Sequence, residues 1–344
     1  MSEQENIRGS EGFVPALDVG ELTDSVHSQL ERRPASDARP SLETLMADPE
    51  YYTVSFRRHG RYERGDNVPT QRGQLTSETM LEVRENAKAW VNSLPENAAI
   101  RIINSPTFMP AEGPTGNRIE PARARATGAL YGSELRNRFG EGYGYLADES
   151  LSAEGLAARE KFPTVEHNAS RELERRIGDI FEMTTKEQSE HVPAFFKKLS
   201  ETYGGLTPEF WKNFIQGTLP SELNDAYLKA GGEPAVKKAA NALDVLSELT
   251  SATSEEDKKK VTLLISHEEV IGSVAYQIVE CMRDSNLVDV ATAERLEAIK
   301  FSYNEGFDIN VDSSGNCVID IKGERLEIPL ADLRNYVHSK ADRE

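Results

Sequence analysis

The chain has only two cysteines, Cys281 and Cys317, far apart and with no Cys-x-x-Cys pair. A disulfide framework and a cysteine-built zinc site are both excluded on that count. No stretch approaches the roughly eighteen consecutive apolar residues of a membrane helix, and the N-terminal region lacks the apolar core of a signal peptide. That predicts a soluble, cytoplasmic protein without a membrane partner. Positive charge is also scarce: 40 Lys and Arg face 58 Asp and Glu, a formal net charge of −18. A nucleic-acid backbone would be repelled over most of such a surface, so a general nucleic-acid binder is excluded. The six histidines show no His-Glu-x-x-His or comparable spacing, so neither a metal nor another cofactor is called for. The glycine-rich Gly140-Glu141-Gly142-Tyr143-Gly144 lacks the lysine and the buried strand of a phosphate loop and reads as a linker. There is no internal repeat.

Apolar residues are in short supply as well, at 38% with a mean hydropathy of −0.55. Part of the chain is therefore expected to stay outside any packed core. Residues 1–48, rich in Ser, Glu, Asp, Arg and Pro, are read as a disordered leader. Asn168-Ala169-Ser170 matches a glycosylation sequon, but the reading preferred here is a helix start.

What is present is more specific. Tyr51 to Phe56 is an apolar-leaning strand pattern that runs into Arg58-His59-Gly60. Val261-Thr262-Leu263-Leu264-Ile265 is a buried-strand pattern that runs into Ser266-His267-Glu268, with helical sequence after it. Two strands thus deliver two imidazoles. The scarce arginines gather beside them, with Arg57, Arg58, Arg61 and Arg64 in one group and Arg118, Arg123 and Arg125 in another. A small phosphorylated substrate suits two compact positive islands better than a polyanion does, whereas Arg57 and Arg61 are equally well read as partners of nearby carboxylates.

Between these motifs, Thr76 or Ser77 caps a helix with Met80, Val83, Ala87, Trp90, Val91 and Leu94 on one face, ended by Pro95. Ala98 to Ile103 is the next strand. Strand, helix and strand in this order predict a parallel pair joined by a crossover, with pocket residues at the carboxyl ends of the strands. Thr107 to Ala122 carries three prolines and two glycines and reads as a loop. Later, Thr207-Pro208 and Glu233-Pro234 start helices, and Val236, Ala240, Leu243, Leu246 and Leu249 form a narrow apolar face. Phe195-Phe196, Phe210-Trp211 and Phe214 read as a local core rather than a ligand cage. Phe307 to Val311 and Cys317 to Ile321 form a hairpin around Asp312-Ser313-Ser314-Gly315-Asn316, and a last helix spans Leu330 to His338. His27, His167, His191 and His338 read as surface or core residues.

Arg58-His59-Gly60, Gly73-Gln74-Leu75-Thr76, Arg123-Ala124-Arg125-Ala126-Thr127 and Ser266-His267 together resemble the histidine phosphatase superfamily, the phosphoglycerate mutase-like enzymes. The resemblance covers about residues 50–140 and 258–283. It implies a three-layer α/β sandwich with a mostly parallel sheet. It further implies an α/β core at 49–139 and 258–283. Residues 140–257 read as a mainly helical cap inserted into that core, and 284–344 as a small α+β extension. The family's Ser-Pro, here Ser105-Pro106, normally stands a few residues before its Arg-Ala-x-x-Thr, so 107–122 is an insertion at the mouth of the site. Arg123 best fits the motif spacing, with Arg118 and Arg125 as competing choices.

The activity the resemblance implies is metal-independent hydrolysis of a phosphomonoester. His59 would be the nucleophile that carries the phosphoryl group, with Arg58, Arg123 and His267 holding the phosphate. A proton donor is also required. Glu149, then Glu141, is the choice in the segment after the Arg-Ala-x-x-Thr helix; Glu268, or Glu269, is the choice after the second histidine. The alternatives are a phosphoglycerate mutase-type phosphotransferase, disfavoured by the long insertion and by Arg61 where that branch places an acid, and a non-catalytic phospholigand-binding protein on the same fold.

Overall fold

The computed structural model describes residues 41–61, 75–96, 98–105, 108–111, 118–121, 123–140, 165–166, 176–177, 186–251, 260–297 and 300–343. The leader, apart from residues 41–48, lies outside them, as do His27, His167, Arg64 and the sequon. In chain order the first elements are α1 (Leu42–Ala47), β1 (Tyr52–Arg58), α2 (Ser77–Ser93), β2 (Ala99–Asn104), β3 (Phe108–Ala111), β4 (Arg118–Pro121), α3 (Arg123–Phe139) and β5 (Val165–Glu166). A helical stretch follows: α4 (Lys186–Ser189), α5 (Val192–Tyr203), α6 (Pro208–Ile215), α7 (Ser221–Lys229) and α8 (Ala235–Ser251). The chain then gives β6 (Lys260–Ser266), α9 (Glu268–Asp284), α10 (Val290–Glu297), β7 (Gly306–Val311), β8 (Asn316–Ile321), β9 (Glu324–Pro329) and α11 (Leu330–Ala341).

Seven strands form one sheet in the order β5-β2-β6-β1-β7-β8-β9. β5, β2, β6 and β1 run parallel, and β7, β8 and β9 continue the sheet antiparallel. The expected pair β1 and β2 is parallel but not adjacent, because β6 lies between them. This insertion matters for the site. The register that places Arg58 opposite Ser266 puts His59 and His267 side by side where both strands end.

Helices cover both faces, as an α/β sandwich requires. On one face α2 and α3 pack Val83, Ala87, Trp90, Tyr131 and Leu135 against Ile100, Ile102, Val261, Leu263 and Ile265. The Thr76 hydroxyl accepts from the Thr79 amide and starts α2, so Thr76 is the cap. Thr79 is buried in that face, while Met80, one position round the helix, is exposed, contrary to the stripe read from the sequence. On the other face α8, α9 and α11 pack on Val54, Phe56, Leu264, Ile309 and Ile319. The apolar face of α8 is wider than predicted: Ala239, Ala242 and Val245 are buried as well, because α9 and α11 both pack along it.

Phe195, Leu199, Phe210, Phe214, Leu223 and Tyr227 form a separate aromatic core under α5, α6 and α7; Phe196 is exposed. The hairpin predicted at 307–321 is present, and β9 adds a third strand that the sequence reading did not contain. Its two apolar side chains, Leu326 and Ile328, alternate with Arg325, Glu327 and a closing proline, the pattern of a strand with one wet face at a sheet edge. Among the described residues no helix is long and apolar enough to cross a membrane.

Candidate active site

The site forms where β1 and β6 end. The His59 amide donates to the Ser266 carbonyl at 3.0 Å, which carries the parallel pairing one residue past the strand and fixes the backbone that holds the imidazole. On the other side of β6, the Ser105 amide donates to the Ile265 carbonyl at 2.8 Å and brings the end of β2 against His267. His59 is 3% exposed and His267 is 1% exposed, so both rings are nearly out of bulk water. Their centroids lie 4.9 Å apart.

Two obligate hydrogen-bonding groups define the protonation of His59. Its Nδ1 lies 2.7 Å from the Gly60 carbonyl, which can only accept. Its Nε2 lies 3.0 Å from Arg123 Nε, which can only donate. His59 is therefore neutral, with the proton on Nδ1 and a lone pair on Nε2 directed at the guanidinium. Burial, then the neighbouring His267 and Arg123, hold its pKa well below the usual 6.5, against the Gly60 carbonyl, which raises it. The unfolded chain takes up a proton near 6.5 where the native ring does not, so stability present above about 6.5 is lost as the pH falls from there toward the native pKa.

Arg123 is the first residue of α3 and reaches both rings, with an Nη at 3.4 Å from His267 Nδ1. That contact makes Nδ1 of His267 the acceptor, so its Nε2 donates to Ser105 Oγ at 2.8 Å. Thr127 binds the assembly together: its hydroxyl donates to the Arg123 carbonyl at 2.8 Å and accepts from the Gly60 amide at 2.9 Å. The side chains of Arg118 and Arg125, the competing choices for Arg123, lie outside the described residues.

Gly60 is required here for space. A Cβ on it would stand 2.8 Å from Thr79 Cγ2 and 2.9 Å from Val83 Cγ2, both on α2. Gly60→Ala is accordingly expected to destabilise the fold by roughly 1–3 kcal/mol, the usual cost of overpacking. Equilibrium urea denaturation measures it, and an unchanged midpoint would show that α2 gives way freely.

Arg58 follows a different set of contacts. Its guanidinium donates to the Phe301 carbonyl at 2.6 Å, pairs with Glu268 at 2.8 Å and lies over the Tyr303 ring at 4.2 Å. Tyr303 also reaches His59, with ring centroids 5.7 Å apart. The segment 301–305 is held there by the main chain, since the Asn304 amide donates to the Arg58 carbonyl and the Arg58 amide to that of Glu305. Phe301 and Tyr303 are additions to the predicted set. They come from a short loop before β7 with no periodic pattern to announce it.

Glu268 opens α9 directly after His267 and is 6% exposed. Burial raises its carboxyl above the usual range, against the lowering effects of the Arg58 guanidinium and the Phe301 amide. Glu269, also buried, occupies the next position, but it is Glu268 that meets Arg58. Glu149 and Glu141 lie outside the described residues. Of the remaining predicted arginines, Arg57 is structural: it pairs with Asp308 at 2.8 Å and donates to the Phe56 and Phe307 carbonyls. Arg61 is exposed. His338 joins Arg334 on Asp244, and His191 is exposed at the start of α5. Among the described residues no group of three or more His, Cys, Asp or Glu could hold a metal.

No protein-family model and no curated protein matches the chain. Among solved structures it is similar to one named Mycobacterial hydrolase 2, at 12% identity and a TM-score of 0.41 over 84% of this chain and 97% of that one. It is also similar to a mycobacterial glucosyl-3-phosphoglycerate phosphatase with VO3, at 13% identity and a TM-score of 0.38 over 75% and 92%. A third is the phosphoglycerate mutase of Bacillus anthracis, at 13% identity and a TM-score of 0.37 over 85% and 98%. With TM-scores below 0.5 these likenesses carry no argument about the chain, and the chemistry of the site is read from its own residues.

Proposed function

We propose that the chain is a phosphomonoester hydrolase of the histidine phosphatase superfamily, acting through a phosphohistidine on His59. The observation that carries this reading is the fixed tautomer of His59, a buried neutral imidazole whose Nε2 lone pair points at a guanidinium. A base of low pKa that is held neutral is a competent nucleophile, and the arginine beside it marks where the anion it attacks would sit.

The substrate phosphate takes the place beside Arg123 and draws Arg58 off Glu268. Without that cation the buried Glu268 carboxylate becomes more basic and takes up a proton from solvent, which it returns when phosphate leaves and Arg58 pairs with it again. His59 Nε2 attacks phosphorus, the ester P–O bond breaks, and the proton of Glu268 passes to the leaving oxygen, releasing the alcohol. The phosphoimidazolium keeps its Nδ1 proton on the Gly60 carbonyl. Water then gives a proton to the Glu268 carboxylate and adds to phosphorus, the P–N bond breaks, and His59 returns to its starting form. The guanidinium groups of Arg123 and Arg58 supply the positive charge around the equatorial oxygens.

Hydrolysis of p-nitrophenyl phosphate is the first test. Turnover is expected to survive EDTA, and the acidic limb of kcat/KM that belongs to His59 is expected to lie below 6.5, once the substrate's own ionisation near 6 is allowed for. Activity that disappears with EDTA and returns with magnesium or zinc would remove this reading, and phosphate moved only between two hydroxyls of one sugar acid would replace it with the mutase.

A further inference from the structure

Glu268 also lines a cleft of about 260 Å³ between α6, α9 and α10. Trp211, Ile215 and Leu296 give it apolar walls, and Lys212 and Lys300 stand at it. Glu268 is its link to the proposed reaction centre. One carboxylate oxygen pairs with Arg58; the other lies 3.9 Å from where a Cβ on Gly272 would be, and Gly272 lines the cleft. That glycine lets α6 approach α9 closely, because a Cβ on it would stand 2.6 Å from Ile215 Cδ1.

The charges are uneven in an informative way. Both acids of the cleft are committed, Glu268 to Arg58 and Glu297 to Arg283. Among the described residues neither Lys212 nor Lys300 has an ion pair, in a chain with a net charge of −18. Both lysines are exposed, and Lys300 is close enough to Glu268 to lower its carboxyl, so the cleft presents positive charge at its mouth.

We infer that this cleft receives the alcohol part of the substrate, and that this part is an aromatic or similarly flat apolar body carrying an anionic group. The inference rests on Glu268 as the proton donor. A donor touches the leaving oxygen, so phosphorus lies toward Arg58 and His59 and the alcohol toward the cleft that Glu268 also lines. The ring packs on Trp211, Ile215 and Leu296, and its anion reaches Lys212 and Lys300.

Two esters that differ by one carboxyl group test it, phenyl phosphate and 4-carboxyphenyl phosphate, on wild type and on Lys212→Gln/Lys300→Gln. The double variant is expected to raise KM for the carboxylated ester about five- to tenfold, the effect of two exposed charge contacts, and to leave phenyl phosphate within twofold. Equal changes for both esters overturn the proposal. A readout without turnover separates the two readings: 4-hydroxybenzoate is expected to quench the fluorescence of Trp211, and to do so less in the double variant. Quenching in a protein that hydrolyses neither ester removes the phosphatase reading and keeps the cleft as an aromatic-anion site. Turnover with neither charge selectivity nor quenching keeps the phosphatase reading and overturns the cleft.

Discussion

Replacing His59 with Ala is expected to lower turnover by about 10⁴–10⁶-fold, the range seen when a member of a nucleophilic constellation is removed. The loss is large because the neighbouring imidazole is not placed to replace it. His267 is 4.9 Å away by ring centroid, but its Nδ1 shares the same guanidinium and its Nε2 is engaged by Ser105 Oγ. Rapid mixing with a labelled phosphomonoester followed by quenching traps acid-labile, base-stable phosphate on wild type and none on the variant. His59 is nearly buried, so the variant is compared by circular dichroism to separate unfolding from lost chemistry. Phosphate trapped on a folded His59→Ala protein would sink the mechanism.

The strands that carry the two histidines are legible because they are buried on both faces. Val54 and Phe56 face one helix layer and Thr53 and Ser55 the other, so β1 reads as a continuous run, and β6 does the same with Val261 to Ile265. The Arg-His-Gly and Ser-His motifs then mark their ends. What joins them is not legible. No pattern in either segment says that β6 lies between β2 and β1, yet that order is what makes the histidines neighbours. The Arg58 partners are harder still, since the Phe301 carbonyl lies 243 residues along the chain and belongs to a loop rather than a periodic element.

The boundaries of α2 and the hairpin, by contrast, follow from local chemistry. Thr76 caps one. In the other, the Asp312 carboxylate accepts from the amides of Ser314 and Asn316, and Gly315 adopts a positive φ of 82°. The broad burial of α8 escapes a reading built on periodicity because small residues such as Ala239 and Ala242 do not stand out in a hydrophobic stripe, yet they let α9 and α11 approach closely.

Glu268 was one of four carboxylates the sequence left open, and its contacts give it the largest consequence after His59. Glu268→Gln keeps shape and volume but removes the transferable proton. With an alkyl phosphate the chemical step is expected to slow by about 10²–10⁴-fold, the usual contribution of general acid catalysis. With p-nitrophenyl phosphate the defect shrinks, because that leaving group departs as an anion, provided formation of the phosphohistidine limits the rate. The amide also frees Arg58 from its ion pair, so KM for both esters is expected to fall or stay level while kcat for the alkyl ester drops. A donor that merely positioned Arg58 would instead raise KM for both esters alike. Glu149→Gln is the control. If it shows the alkyl-selective loss and Glu268→Gln does not, the donor lies in the segment after α3, and the carboxylate beside Arg58 serves only to hold that arginine until phosphate arrives.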